Sequence, residues 1–182
     1  MKRAFGELRF LAVLAGGMVL VQLANSFTGG ALNVWGLVPR QVQTLPGILI
    51  APWLHGGWAH LLSNLSGLMI LGSLVLLRSR RDFVLASLFI IIVGSGVLVW
   101  CFGRIGVHIG ASGWLFGFWG LLLARAWLDR SLLDLALAGL VFMFYGGWLF
   151  GLLPRDGVSF EYHLAGASCG VLYAVLSRNR RL

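Results

Sequence analysis

Four side chains suited to acyl-transfer chemistry, Ser112, His163, His60 and Asn64, lie in three stretches far apart along this 182-residue chain. A serine hydroxyl is a weak nucleophile until a base takes its proton, and histidine is the usual base, so Ser112 and His163 form the natural pair. His60 and Asn64 are spaced i, i+4 and would share one face of a helix. Their ring and amide, with the Ser112 backbone N–H, are candidate donors to a developing oxyanion. A serine in an apolar helix often does no more than bond a backbone carbonyl, and that reading is given to Ser63, Ser66, Ser73, Ser87, Ser95 and Ser168. Ser112 differs from them because of where its companions fall.

The elements that must position these residues are visible in the composition. Hydrophobic residues make up 59% of the chain and charged residues only 11%, against about a quarter charged in a soluble domain. This excludes an ordinary soluble domain. Six apolar runs approach the ~20 residues needed to cross a bilayer: approximately Phe10 to Phe27, His60 to Leu77, Phe83 to Phe102, Ala111 to Leu128, Leu132 to Leu153 and Tyr162 to Ser177. Lipid offers no partner to an open strand edge, and period-2 alternation is lacking, so the runs are read as helices. The expectation is one all-α membrane domain over residues 1–182, with an interfacial first loop at 28–59 and a loop at 154–161 before the sixth helix. The start MKRAFGELR, followed by FLAVLAGGMVLV, resembles a secretory signal. Gln22-Leu23-Ala24 is a poor cleavage site, so retention as a first helix is expected.

Charge sets the sidedness. Eleven of the 14 basic residues (Lys2, Arg3, Arg9, Arg78, Arg80, Arg81, Arg125, Arg130, Arg178, Arg180 and Arg181) flank the same ends of these spans, leaving Arg40, Arg104 and Arg155 opposite. The positive-inside bias then places both termini in the cytoplasm, and the net charge of +8 reads as topology rather than a nucleic-acid footprint. A basic cytoplasmic face also suits anionic lipid. With this orientation spans two, four and six all run inward. Their first turns carry His60 and Asn64, Ser112, and His163, so the four polar groups meet near the outer face.

Close helix approach is supplied by glycine. Gly113, Gly117 and Gly120 on span four, and Gly166 and Gly170 on span six, form small-xxx-small patterns. On this reading Gly166→Val would displace His163 from Ser112, costing roughly 1–3 kcal/mol of stability but ~10²-fold in catalysis. Cys101 and Cys169 lack CxxC spacing, so no metal or disulfide framework is expected. No cofactor is expected either.

HGGWAHLLSNLSGLMILG, GASGWLFGFWG and EYHLAGASCG resemble, in order and spacing, the three signature regions of the rhomboid intramembrane serine proteases. The resemblance implies a six-helix bundle with a Ser-His dyad and no Asp, cutting transmembrane segments of other membrane proteins near the outer face of a bacterial inner membrane. It assigns Ser112 as nucleophile, His163 as base, and His60 and Asn64 as oxyanion donors. His55, Gly110, Gly113, Phe116, Gly166 and Gly170 are assigned supporting roles. Phe116 stands where family members often have Tyr. The fifth span, loosened by Gly146, Gly147 and Gly151, would form the substrate gate with the loop at Pro154 and Gly157. His108 is read as a loop residue. Two alternatives stay open: a catalytically silent rhomboid-like protein that binds membrane clients, and a b-type haem protein using two of the histidines as axial ligands.

Overall fold

The computed structural model describes residues 2–154 and 157–178. Arg155, Arg180 and Arg181, counted above for sidedness, lie outside the described residues, as does part of the 154–161 loop. Among the described residues six helical rods run α1 (Lys2–Phe27), α2 (Trp58–Leu76), α3 (Arg80–Phe102), α4 (Ser112–Asp129), α5 (Leu132–Leu152) and α6 (Phe160–Arg178). Four of them, α1, α2, α3 and α5, are long and apolar enough to cross a membrane. Among the described residues there is no strand, only an isolated antiparallel bridge between Leu37 and His108.

The core sits around α4, whose residues from Gly113 through Leu122 are all buried. Its closest neighbour is α6, and glycine is the reason. A Cβ on Gly166 would overlap the Gly113 carbonyl oxygen, one on Gly170 would overlap that of Gly117, and one on Gly120 would come within 2.5 Å of the Ala167 carbonyl oxygen. The backbones therefore touch along two turns. The outer surfaces of α1 and α5 are apolar and exposed, with Val13, Leu20, Phe142 and Phe144 each at least 60% accessible, as expected of helices bathed in lipid chains.

Both α2 and α3 are interrupted by π-helical turns, at Leu68–Gly72 and Ile90–Leu98. The second of these lets Gly96 receive Ile48 from the first loop, where a Cβ would lie 2.5 Å from the Ile48 side chain. That loop is built of short turns at Ala31–Trp35, Val42–Thr44, Gly47–Ile50 and Ala51–Trp53. It is pinned to the segment before α4 by Arg40 Nη1 donating to Gly103 O at 2.9 Å, Leu37 paired with His108, and Gly110 N–H donating to Ala51 O at 2.9 Å. Val34, Trp35, Val42 and Leu49 point outward from it.

At the opposite end the structure corrects two sequence readings. Arg125, counted as a flanking topological charge, lies inside α4 at 1% exposure and donates to Asp82 Oδ2 at 2.6 Å. Tyr173 of α6 donates to the other oxygen of Asp82 at 3.1 Å. Arg78 pairs with Asp134, itself buried, and lies 3.6 Å from Asp129. Two polar clusters thus form, one joining α3, α4 and α6 through Asp82 and the other joining the α2–α3 turn to α4 and α5 through Arg78, because charges at this depth persist only when paired and hydrogen-bonded. Ser87, read as merely back-bonded, also accepts from the Trp114 indole N–H at 2.9 Å.

Candidate active site

Ser112 opens α4. Its N-cap, Ala111, has no side chain able to cap, so the first N–H groups of the helix have no intrahelical partner. His163 sits in the first turn of α6, and its Nε2 lies 2.9 Å from Ser112 Oγ. The other ring nitrogen, Nδ1, lies 2.9 Å from the Gly151 carbonyl oxygen. A carbonyl only accepts, so Nδ1 must carry the proton and donate. Nε2 is then left with a lone pair facing the serine hydroxyl, which is the tautomer a general base needs.

The ring is also held from the side. Phe116, one turn after Ser112, stacks on His163 with centroids 4.1 Å apart and planes 6° from parallel. Trp148 covers the other face of Phe116 at 4.5 Å. Trp148 and Gly151 both come from the 3₁₀-helical end of α5, Gly146–Leu152. This segment, read from sequence as a loosened gate, supplies the groups that orient the base. A Cβ on Gly151 would come within 2.8 Å of Phe116 and 3.4 Å of His163 Nδ1, so only glycine brings its carbonyl this close.

Opposite this pair, two polar groups converge on the backbone just before the serine. Gly110 adopts φ +106°, and a Cβ there would lie 2.6 Å from His60 Nε2 and 3.4 Å from Asn64 Nδ2. His60 Nδ1 receives a long 3.5 Å bond from the Gly56 N–H, which leaves Nε2 as the protonated nitrogen. The Asn64 amide nitrogen is buried and has no hydrogen-bond partner among the described residues. An idle buried donor is costly unless an acceptor arrives. Asn64 Nδ2, His60 Nε2–H and the Ser112 N–H can therefore serve an oxygen that carries developing charge.

Among the described residues no hydrogen bond joins the His55 ring to Ser112. His55 is fully buried in the loop ahead of α2, its ring edge-to-face with His60 at 5.0 Å. Its carbonyl is held by Asn25 at 3.3 Å and Asn33 at 3.4 Å. Burial, with the His60 ring beside it, pushes the His55 imidazole down to about 4. An unfolded chain protonates this group near 6.5, so between these values the unfolded state binds more protons and stability falls as pH drops through the window. The melting temperature is expected to fall from pH 6.5 to pH 4, with a shallower slope for His55→Gln. An unchanged slope would remove His55 from the account.

Sequence reasoning missed a second fastening between the segments that carry the two candidate residues. Arg104 Nε donates to Glu161 Oε1 at 2.6 Å, and its Nη2 donates to the Val158 carbonyl at 3.2 Å. His108, read as a simple loop residue, is 4% exposed, with Nε2 3.0 Å from Arg104 O and Nδ1 2.8 Å from Ser159 Oγ. The Ser159 carbonyl in turn accepts the N–H of His163 at 3.2 Å. The only sequence signal for this clasp was the presence of polar residues in both outer loops. It also bears on the haem reading: His163 and His108 each have both nitrogens engaged, and the remaining rings, His55 and His60, touch each other with no room for a macrocycle between them.

Comparison with known proteins agrees with this architecture. The Rhomboid domain matches residues 41–180. An uncharacterized protein of Mycobacterium tuberculosis is 37% identical over 179 residues, covering 93% of this chain and 72% of the relative. A Mycobacterium leprae protein is 35% identical over 179 residues, covering 93% and 69%. RHOMBOID-like protein 1 of Arabidopsis thaliana is 34% identical over 125 residues, 66% of this chain and 31% of the relative. The long apolar helices, the buried glycine contact and these matches together lead to one conclusion: the chain is an integral membrane protein that belongs to the rhomboid family of intramembrane proteases.

Proposed function

We propose that this protein is a serine endopeptidase that hydrolyses peptide bonds in or near transmembrane segments of other membrane proteins. The observation that carries this reading is the 2.9 Å contact from His163 Nε2 to Ser112 Oγ, with the tautomer set by Gly151. In the reaction, His163 takes the hydroxyl proton as Ser112 Oγ bonds to the scissile carbonyl carbon, and negative charge moves to the carbonyl oxygen. Asn64, His60 and the Ser112 N–H receive that oxyanion. The imidazolium, donating to Gly151 O and lying against the face of Phe116, then protonates the leaving amine as the C–N bond breaks. A water, deprotonated by the same nitrogen, then bonds to the acyl carbon, and His163 gives that proton to Ser112 Oγ as the acyl C–O bond breaks. A neutral carbonyl takes the orienting place that a carboxylate holds in a triad.

The rest of the reading follows the same geometry. All six rods span the bilayer as one domain, and the basic ends with both termini face the cytoplasm of a bacterial inner membrane. The dyad then opens toward the outer face, beside the exposed apolar loop 28–57. Substrate enters laterally, past α5. Family members can be silent, but this chain retains both candidate residues in bonding contact. Cleavage of a transmembrane reporter in proteoliposomes tests the proposal. Asn64→Ala is expected to lower kcat by roughly 10²-fold, at the mild end for a lost oxyanion donor, because two donors remain. Wild-type kcat with a raised KM would instead make Asn64 a substrate-binding group.

A further inference from the structure

A cleft of about 680 Å³ opens between the start of α3 and the end of α6, at the bundle end remote from Ser112. Its mouth is lined by Arg78, Arg81, Ser79 and Ser177, and its floor by Leu85, Phe89 and Leu176. The acid in the mouth, Asp82, is bonded to Arg125 and Tyr173 at 2.6 and 3.1 Å, and Arg78 is bonded to Asp134. Arg81 is exposed at the rim. The cleft is thus cationic and hydroxyl-rich at its mouth and apolar at its floor.

The direction of that change identifies the ligand class. Asp82, Leu85 and Phe89 follow one face of α3, so the lining runs seven residues, roughly 10 Å at 1.5 Å per residue, along the helix axis from the polar end toward the middle of the bundle. Phe89 meets Tyr173 at 6.0 Å and closes the inner end. Leu85 and Leu176 remain 38% and 54% exposed, on the side where lipid chains lie. A free anion has no use for such a floor, and a neutral apolar ligand has none for such a mouth. The geometry points to a binding site for an anionic glycerophospholipid, its phosphate between Arg81, Ser79 and Ser177 and one acyl chain over Leu85, Phe89 and Leu176. Basic pockets between membrane helices hold such headgroups. The bound lipid would brace α3 against α6, the helix that carries His163.

Native mass spectrometry of the detergent-purified protein, titrated with phosphatidylglycerol or phosphatidylcholine, tests the site. The wild type is expected to retain phosphatidylglycerol in preference to phosphatidylcholine and to melt at a higher temperature with it. Arg81→Glu should bind phosphatidylglycerol about 25-fold more weakly, since it changes the charge by two and each surface charge is worth roughly a factor of five. Arg9→Glu, the same charge change at the same end but on α1, should bind like the wild type. Leu176→Asp should lose binding while keeping Arg81 in place. Equal retention of both lipids, an Arg9→Glu loss matching that of Arg81→Glu, or full competition by soluble glycerol phosphate would each overturn the site.

Discussion

Ser112→Ala is expected to lower kcat for a transmembrane reporter by ~10⁴-fold or more, with His163→Ala falling as far and the double variant no further, because members of one catalytic unit are not additive. Without Oγ there is no atom to form the acyl bond. Without the imidazole, no other base among the described residues is within hydrogen-bond reach of Oγ to take the proton. Both side chains are half-buried and neither is a packing centre, so melting temperature should change little. A fluorophosphonate should label the wild type at Ser112 alone and leave Ser112→Ala unlabelled, while Ser168→Ala stays fully active. Turnover by Ser112→Ala at the wild-type rate, or labelling at another serine, would sink the dyad.

Gly166→Val is expected to abolish activity and to unfold the bundle as well, which corrects the sequence-based expectation that stability would largely survive. That expectation treated the contact as side-chain packing, where overpacking costs roughly 1–3 kcal/mol and neighbours can shift. The actual neighbour is the Gly113 carbonyl, which a single added Cβ would already overlap. Backbone inside α4 cannot yield without breaking the helix that begins with Ser112. Gly166→Ala should therefore lose melting temperature and activity together. At Gly139, on α5, an added Cβ would meet nothing within 4 Å, so Gly139→Ala should match or slightly exceed wild-type stability, alanine being about 1 kcal/mol better than glycine within a helix. A Gly166→Ala protein that melts and cleaves like the wild type would show that α4 and α6 are not in backbone contact.

Much of the architecture follows from sequence alone, since the constraint in lipid is severe: a backbone that cannot bond to water must bond to itself. Apolar runs of near-bilayer length between arginines admitted only helices, and the rods start or end within a few residues of the polar breaks, α2 at Trp58 and α6 at Phe160. Membership of the rhomboid family was legible in HGGWAH, GASG and HLAG for a related reason: polar residues are too costly at that depth to recur in such an order without a shared use. Glycine spacing likewise named both faces of the α4–α6 contact. What the sequence did not carry is anything mediated by backbone groups or by pairing across the fold. The orienting partner of His163 is a carbonyl, and every residue has one, so only the 3₁₀ end of α5 decides that it belongs to Gly151. Arg125 looked like a flanking charge until Asp82, 43 positions away, met it inside the bundle. His108 and Ser159 are ordinary loop residues until the loops ahead of α4 and α6 lie side by side. Hydropathy reports how deep a residue sits, and depth is a one-dimensional quantity; which neighbours share that depth is settled only by packing.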